Sequence, residues 1–164
     1  ILDEKISTNI ALETDEKKIN YEKMQFAINQ ANLNEVVKNL PNKIETKIGD
    51  NGVRLSGGQN KRLALSRAFY HGKKIIIIDE ATSALDSESE KEIQKSIDNL
   101  KGKITVIVIA HRLSTIKNVD LILVLKEGKI IESGPYLELA NNKNSTFSNL
   151  IAMQSLESDG FDDN

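Results

Sequence analysis

Two short apolar segments, each ending in polar residues, limit the possible folds of this chain more than any other feature. The first runs from Lys74 to Ile78, is nearly all isoleucine, and is followed at once by Asp79 and Glu80. The second runs from 104 to 109. A strand that is apolar on both faces is typical of the middle of a parallel sheet that helices cover. Both segments are therefore predicted to be strands of such a sheet.

The segment between the two strands predicts a helix from Ser87 to about Leu100. It opens with Ser87 and Glu90, the S-x-x-E pattern of a capping box, and Gly102 ends it. The order strand, helix, strand is the repeating unit of an α/β fold. In such folds ligands bind beyond the carboxyl ends of the strands, so the polar residues at those ends are the candidates for function.

The rest of the chain predicts helices before this unit and a hairpin after it. Before it we expect one short helix within residues 1–18, a helix over 19–40 ended by Pro41, and a helix from Gly57 to Tyr70 closed by Gly72. After it we expect a hairpin of strands 121–125 and 129–132, short helices over 136–141 and 146–155, and a frayed acidic tail from Glu157.

Composition excludes several classes of function. The 164 residues carry a formal net charge of -2, so the totals give no electrostatic footprint for nucleic acid. Cysteine is absent, which excludes disulfides and cysteine metal sites. No apolar run approaches the ~20 residues that a membrane helix needs.

The segment LSGGQNKR at 55–62 places a serine and two glycines at the start of a predicted helix. A helix N-terminus presents free backbone N–H groups and a partial positive charge. Glycines let a phosphate approach that backbone, and a serine hydroxyl can donate to it. A Gly-Gly pair can also be only a flexible joint, but LSGGQ arises by chance on the order of once in a million positions at average amino-acid usage. This segment therefore predicts a phosphate contact.

Asp79 and Glu80 are the first acidic candidates. A carboxylate at the end of a buried strand can bind Mg²⁺ through water beside a bound phosphate. The adjacent glutamate can orient or deprotonate an attacking water. An isolated acidic pair after a strand usually only begins a turn, but this pair is followed by ATSALD at 81–86, which favours the functional interpretation.

His111 directly follows the second predicted strand. If the two strands are neighbours, its imidazole lies beside Asp79 and Glu80, where it can donate to a phosphate oxygen while holding a water or the glutamate. A lone histidine at a strand end is more often structural. Its place after the second of two parallel strands makes the two interpretations comparable.

These segments together resemble the nucleotide-binding domain of ATP-binding cassette (ABC) transporters. LSGGQ at 55–59, IIIIDEATSALD at 75–86 and IAHRLSTI at 109–116 occur in that family's order and spacing, and ILDEKISTNI at 1–10 and VDLILVLKEGKIIESG at 119–134 look like its exporter branch. The resemblance implies the following roles: the signature for Leu55, Ser56, Gly57, Gly58 and Gln59; the magnesium-side aspartate for Asp79; the catalytic glutamate for Glu80; the D-loop for Ser83 to Asp86; and the switch histidine for His111.

The resemblance also implies an architecture and partners. The fold is expected to be a partial P-loop NTPase (RecA-like) core with a mostly parallel sheet, plus an α-helical subdomain. Residues 1–72 are expected to form the helical subdomain, 73–156 the second half of the catalytic core, and 157–164 a disordered tail. The implied cofactors are ATP and Mg²⁺, and the implied partners are a second nucleotide-binding domain packed head to tail and a transmembrane domain fused upstream. The implied location is the cytoplasmic face of a membrane.

The sequence lacks a phosphate loop of the form G-x-x-x-x-G-K-[ST]. In the family that loop lies upstream, so we expect a truncated chain that hydrolyses no ATP by itself. Truncation would also leave the isoleucine strand without one neighbour and expose apolar surface. Two alternatives remain open from the sequence: a soluble ABC-type ATPase of DNA repair or translation, and a non-catalytic module that docks to a complete cassette.

Overall fold

The fold was analysed in a computed structural model that describes residues 1–79, 87–110 and 113–159. The chain divides into two compact units, Ile1–Ile109 and Ala110–Asn164. Each unit is described by itself below.

The first unit begins with helices. Their bounds are Ile6–Ala11 (α1), Tyr21–Gln30 (α2), Asn34–Lys38 (α3) and Gly57–Tyr70 (α4), with single 3-10 turns at Glu16–Lys18 and Lys43–Glu45. The predicted bounds of α4 are confirmed, and Gly72 beyond its end has the left-handed φ of +60° that favours glycine.

The prediction of one helix over 19–40 is wrong. The chain leaves the helix after Gln30 and resumes it at Asn34. Asn32 between them has a φ of +51°, a left-handed conformation that asparagine tolerates better than most residues and that an α-helix does not contain. Because the apolar residues on both sides of the break face the same core, their spacing imitates one continuous helix.

The apolar faces of these helices form the core of the first unit. Its side chains come from α1 to α4 and the loops between them, and α4 packs against both α1 and α2. Ile6, Ile10, Met24, Ile28 and Leu63 are each almost completely buried. Burying one such side chain stabilises the fold by roughly 1.5–3 kcal/mol, so this cluster is the main stabilising element around α4.

The predicted strand–helix–strand unit follows as Ile75–Asp79 (β1), Ser87–Asp98 (α5) and Thr105–Ile109 (β2). The side chains of Ser87 and Glu90, the predicted capping box, lie outside the described residues. β1 and β2 pair in parallel, with Ile75 opposite Thr105 and Asp79 opposite Ile109. The parallel pairing confirms the α/β prediction.

The expectation that β1 is covered on both faces is not met within the described residues. β1 and β2 form a two-stranded sheet, and their alternate side chains are exposed: Ile75 by 63%, Ile77 by 67%, Ile107 by 49% and Ile109 by 48%. The other face is half-buried. In the described part of the chain, neither strand pairs with a further strand, so the sheet lacks further strands along its edges as well as a cover on this face.

The second unit is built on the predicted hairpin. Ile122–Lys126 (β3) and Lys129–Gly134 (β4) pair antiparallel, after the short helix Leu113–Ile116 (α6). Glu127 and Gly128 at the turn both have positive φ, which is the requirement of a type I′ hairpin turn.

Two helices complete the second unit, Tyr136–Asn141 (α7) and Thr146–Asp159 (α8). Ile122 and Val124 of β3 pack with Leu139 of α7 and Phe147 of α8 in a small core. The described helix α8 continues beyond residue 157, where the sequence predicted a frayed tail; residues 160–164 lie outside the described part. None of the helices described is long and apolar enough to span a bilayer.

The division of the chain by packing differs from the boundary predicted between residues 72 and 73. β1, α5 and β2 belong to the same compact unit as the helices before them, because α5 packs against α4. The predicted boundary between a helical subdomain and the second half of the catalytic core stays a prediction.

Candidate functional site

The start of α4 carries the predicted signature, and a capping box holds it. The Gln59 N–H donates to Ser56 Oγ at 3.2 Å, and the Ser56 N–H donates to Gln59 Oε1 at 2.9 Å. Ser56 itself is extended, with φ −64° and ψ 163°, as an N-cap residue should be. The turn is thus fixed by residues of the motif itself.

The cap does not use the N–H groups of the two glycines. Within the described residues, neither the Gly57 N–H nor the Gly58 N–H has a hydrogen-bond acceptor; Ser56 and Gly57 are exposed, whereas Gly58 is buried. The Ser56 hydroxyl accepts a hydrogen bond from Gln59 and can still donate its own proton. Two N–H groups, a hydroxyl and the positive end of a 14-residue helix suit an anion with several acceptor oxygens.

The structure gives Gln59 and Leu55 supporting roles. The Gln59 side chain is committed to the cap. Leu55 packs against the core of the first unit, and its carbonyl accepts a hydrogen bond from Asn60 Nδ2 at 3.5 Å. These two residues hold the turn, and Ser56 and Gly57 present their polar groups at the surface.

An open groove leads to the signature from the preceding loop. Its volume is about 370 Å³, and its lining includes Asp3, Asp50, Arg54 and Leu55. The sequence analysis recognised Gly49–Gly52 only as turn formers and missed this groove, because Asp3 joins it from 46 residues away along the chain.

Asp79 is the last residue of β1 and is exposed. Because Asp79 lies opposite Ile109 in the parallel pair, the chain leaves both strands at the same edge of the sheet. The condition that the sequence analysis placed on His111, that the two strands are neighbours, is therefore met. Glu80, Ser83, Asp86 and His111 themselves lie outside the described residues.

Helix α5, which follows the Asp79 segment, is fastened to the signature helix. Arg62 of α4 is buried, and its Nη1 lies 3.4 Å from Glu92 Oε2 of α5. Asn32 Nδ2 donates to Ser96 Oγ of α5 at 3.1 Å. The signature and the elements that flank the Asp79 segment thus belong to one packed unit.

The described residues can supply only a few of the ligands of a magnesium ion. They contain no cluster of three or more histidine or acidic side chains. Mg²⁺ keeps several waters and is bound by one or two carboxylates together with substrate phosphates. A single exposed carboxylate at Asp79 is what such a phosphate-bound ion requires from the protein.

The structure also reveals two polar residues that sequence reasoning missed, Asn9 in α1 and Arg67 in α4. Asn9 is completely buried, and the Arg67 guanidinium donates to it. The only signal in the sequence was an asparagine next to apolar residues of a predicted short helix. The structure shows that the whole helix is buried, so hydrogen bonds must compensate the desolvation of the asparagine side chain.

Comparisons with known proteins agree with this geometry. The sequence profile of the ABC transporter family matches residues 2–83, which is half of the chain. The ATP-dependent lipid A-core flippase of Cupriavidus metallidurans is 45% identical over 155 residues, which cover 94% of this chain and 26% of the flippase. ABC transporter B family member 14 of Arabidopsis thaliana is 45% identical over 152 residues, or 93% of this chain and 12% of that protein.

A solved structure matches as well. The structure of a bacterial Atm1-family ABC exporter with ATP bound superposes with a TM-score of 0.80 at 32% identity, over 94% of this chain and 27% of that one. The chain thus spans about a quarter of the length of the flippase and exporter chains that it matches. An LSGGQ turn at an exposed helix start, an aspartate ending a parallel strand, and these matches lead to one conclusion: the chain belongs to the ABC transporter family.

Proposed function

We propose that these residues supply the signature helix and the Asp79 strand of the ATPase domain of an ABC-type membrane exporter, which couples ATP hydrolysis to transport. The observation that carries the proposal is the start of α4, where the Gly57 and Gly58 N–H groups have no acceptor among the described residues and Gly57 is exposed beside Ser56. The exporter and flippase names of the relatives support this reading over a soluble ATPase of DNA repair or translation.

The signature is proposed to serve a nucleotide held by a second cassette. The 164 residues contain no phosphate loop, so the loop on the other side of the phosphate belongs to another segment or chain. Head-to-tail packing of two cassettes would place α4 against the γ-phosphate of the partner's ATP, with Ser56, Gly57 and Gly58 as donors. Ser83 and Asp86 are proposed to line the same dimer interface.

Asp79, Glu80 and His111 are proposed to serve the nucleotide of their own cassette. Asp79 would hold Mg²⁺ through water, and the ion would neutralise charge on the phosphates. Glu80 would orient the attacking water and accept its proton, and His111 would hold that water or the Glu80 carboxylate while donating to a phosphate oxygen.

The same proposal places the domain on the cytoplasmic face of a membrane, joined to a transmembrane domain. Residues 1–72 would form the helical subdomain and 73–156 the second half of the catalytic core, where further elements of that core would cover the exposed face of Ile75, Ile77, Ile107 and Ile109. The 164-residue chain alone is then expected to hydrolyse no ATP.

The test combines gel filtration with ATP and a turnover assay on the complete protein that carries this segment. Glu80→Gln keeps the shape of the side chain but removes its basicity, so hydrolysis should fall at least about a hundredfold while an ATP-bound dimer persists. Ser56→Arg should block the partner's γ-phosphate, so that ATP binds but no dimer forms.

Two matched controls use exposed residues nearby. Glu88→Gln removes a carboxylate from α5, and Ala64→Arg adds the same bulky side chain to α4, two turns after Ser56. Both should leave turnover and dimerisation within about twofold. Unchanged hydrolysis by Glu80→Gln, or a normal ATP-dependent dimer of Ser56→Arg, would refute the proposed roles.

A further inference from the structure

The buried side chain of Asn9 ties the first residues of the chain to α1. Its Oδ1 accepts a hydrogen bond from the Leu2 N–H at 2.8 Å, and its Nδ2 lies 3.0 Å from the Leu2 carbonyl oxygen and 3.2 Å from that of Glu4. Asn9 is completely inaccessible to solvent. A buried amide satisfied in this way fixes the backbone around it, because each lost bond would leave a desolvated polar group.

Arg67 of the signature helix donates two hydrogen bonds to the same asparagine. Its Nε donates to the Asn9 carbonyl oxygen at 2.6 Å, and its Nη2 donates to Asn9 Oδ1 at 2.9 Å. Among the described residues Arg67 forms no ion pair, and burial lowers the pKa of its guanidinium. A partly desolvated cation is thus held by a two-point fork on an amide and a carbonyl, a geometry that fixes orientation as well as distance.

The same N-terminal residues also form hydrogen bonds with the loop that precedes the signature. The Ile48 N–H donates to the Glu4 carbonyl oxygen at 3.0 Å, and the Ile6 N–H donates to that of Thr46 at 3.1 Å. Asp3 Oδ1 accepts from the Asn51 N–H at 3.1 Å, and the Asn51 side chain donates to the other carboxylate oxygen.

The loop also approaches this segment too closely for any side chain at Gly49. A Cβ there would lie 2.9 Å from Asp3 Cα, and the residue has a φ of +114°, which only glycine adopts readily. Contact and backbone conformation together therefore hold the loop against Asp3.

We propose that residues 2–9 form a brace that sets the position of the signature helix, with Asn9 and Arg67 as positioning residues for Ser56. The brace holds the loop before Ser56 at one end and Arg67 at the other. Arg67 lies eleven residues after Ser56, or about 16 Å along a rigid helix, so an axial shift at Arg67 moves Ser56 by a similar amount. This inference rests on the proposed function, in which Ser56 contacts a partner's phosphate.

The first test is ATP turnover of the complete protein with Arg67→Lys, which keeps the charge and stem but loses the fork. Displacement of the signature should lower kcat about tenfold or more while KM for ATP changes less than twofold, because the protein's own nucleotide site is untouched. The matched control is Tyr70→Phe, which removes the hydrogen bond from the Asn20 N–H to Tyr70 Oη at the same end of α4. It should leave kcat within about twofold.

A fall in kcat no larger than that of Tyr70→Phe, or a proportional rise in KM, would overturn the brace. A second test needs no catalysis: hydrogen exchange in the 164-residue chain. Arg67→Lys should speed exchange of residues 2–5 and of 57–60 together, whereas faster exchange confined to the residues around 67 would overturn the proposal. If Ser56→Arg still dimerises with ATP, the proposed function fails, and the exchange test still decides whether the brace exists.

Discussion

Gly52 lies in the loop before the signature, and the structure leaves no room there for a methyl group. A Cβ at Gly52 would lie 2.3 Å from the Lys47 carbonyl oxygen and 2.7 Å from its carbonyl carbon. These are backbone atoms, so no side-chain rotation can relieve the contact. Gly52→Ala must therefore displace the loop itself.

The magnitude follows from what the displacement breaks. Forcing one extra carbon into a closed space costs about 1–3 kcal/mol. The Lys47 carbonyl also accepts the Val53 N–H at 2.9 Å, in the bridge that joins Ile48 to Val53, and losing that bond adds about 1 kcal/mol. We expect Gly52→Ala to destabilise the loop by about 2–4 kcal/mol.

The assay is hydrogen exchange of peptides that cover residues 46–56, compared with peptides from the second unit. A cost of this size raises local exchange about thirtyfold to several hundredfold, since about 1.4 kcal/mol corresponds to a factor of ten. The matched control is Gly72→Ala, where a Cβ would meet nothing within 4 Å. Only its left-handed conformation opposes that change, at about 1 kcal/mol.

The comparison of hydrogen-exchange rates between Gly52→Ala and Gly72→Ala tests this expectation. If Gly52→Ala speeds exchange in 46–56 no more than Gly72→Ala does around residue 72, the close approach to Lys47 does not limit the loop, and the reasoning is refuted. Unchanged exchange in the second unit is required in both variants.

Two further predictions concern the exposed sheet and the second unit. Replacing the paired Ile77 and Ile107 by threonine should reduce self-association of the 164-residue chain in sedimentation velocity, because both side chains are exposed at present; an unchanged profile would contradict this. Glu132 accepts the Thr146 and Phe147 N–H groups at the start of α8, mainly that of Thr146, and these bonds lower the pKa of its carboxyl. The stability that Glu132 adds should be full above about pH 4.5, the ordinary pKa of a glutamate, and should be lost as the pH falls through the lower pKa of the folded state. Urea unfolding followed by NMR should show that Glu132→Gln lacks this acid sensitivity. Equal pH dependence of stability in both proteins would contradict the prediction.

Much of the fold could be predicted because its signals are local. The bounds of α4 follow from an N-cap serine and a terminal glycine, and the hairpin follows from alternating apolar residues around Glu127 and Gly128. The break at Asn32 was missed because the left-handed residue leaves the apolar spacing on either side almost unchanged.

The candidate site also has a part that local sequence predicts and a part that it does not. Ser56, Gly57 and Gly58 are adjacent in the sequence, so the sequence alone suggested that they lie at the start of a helix; the capping box that holds this turn was seen only in the structure. Asn9 and Arg67 are 58 residues apart in the sequence, and no local pattern relates an asparagine of one helix to an arginine of another. Only folding brings such pairs together, and their energies depend on burial that a sequence does not display.

The brace contacts the loop through Asp3 and the signature helix through Arg67, and these two contacts respond differently to solution conditions. Asp3 is a partly exposed carboxylate next to Lys47, with a pKa lowered chiefly by the Asn51 side chain, so acid and high ionic strength both weaken its hold on the loop. Arg67 is held by an uncharged amide and a carbonyl, neither of which titrates, and a charge–dipole contact in a partly desolvated site is little affected by dissolved ions. Salt or acid should therefore loosen the approach to the signature first and leave the far end of its helix in place.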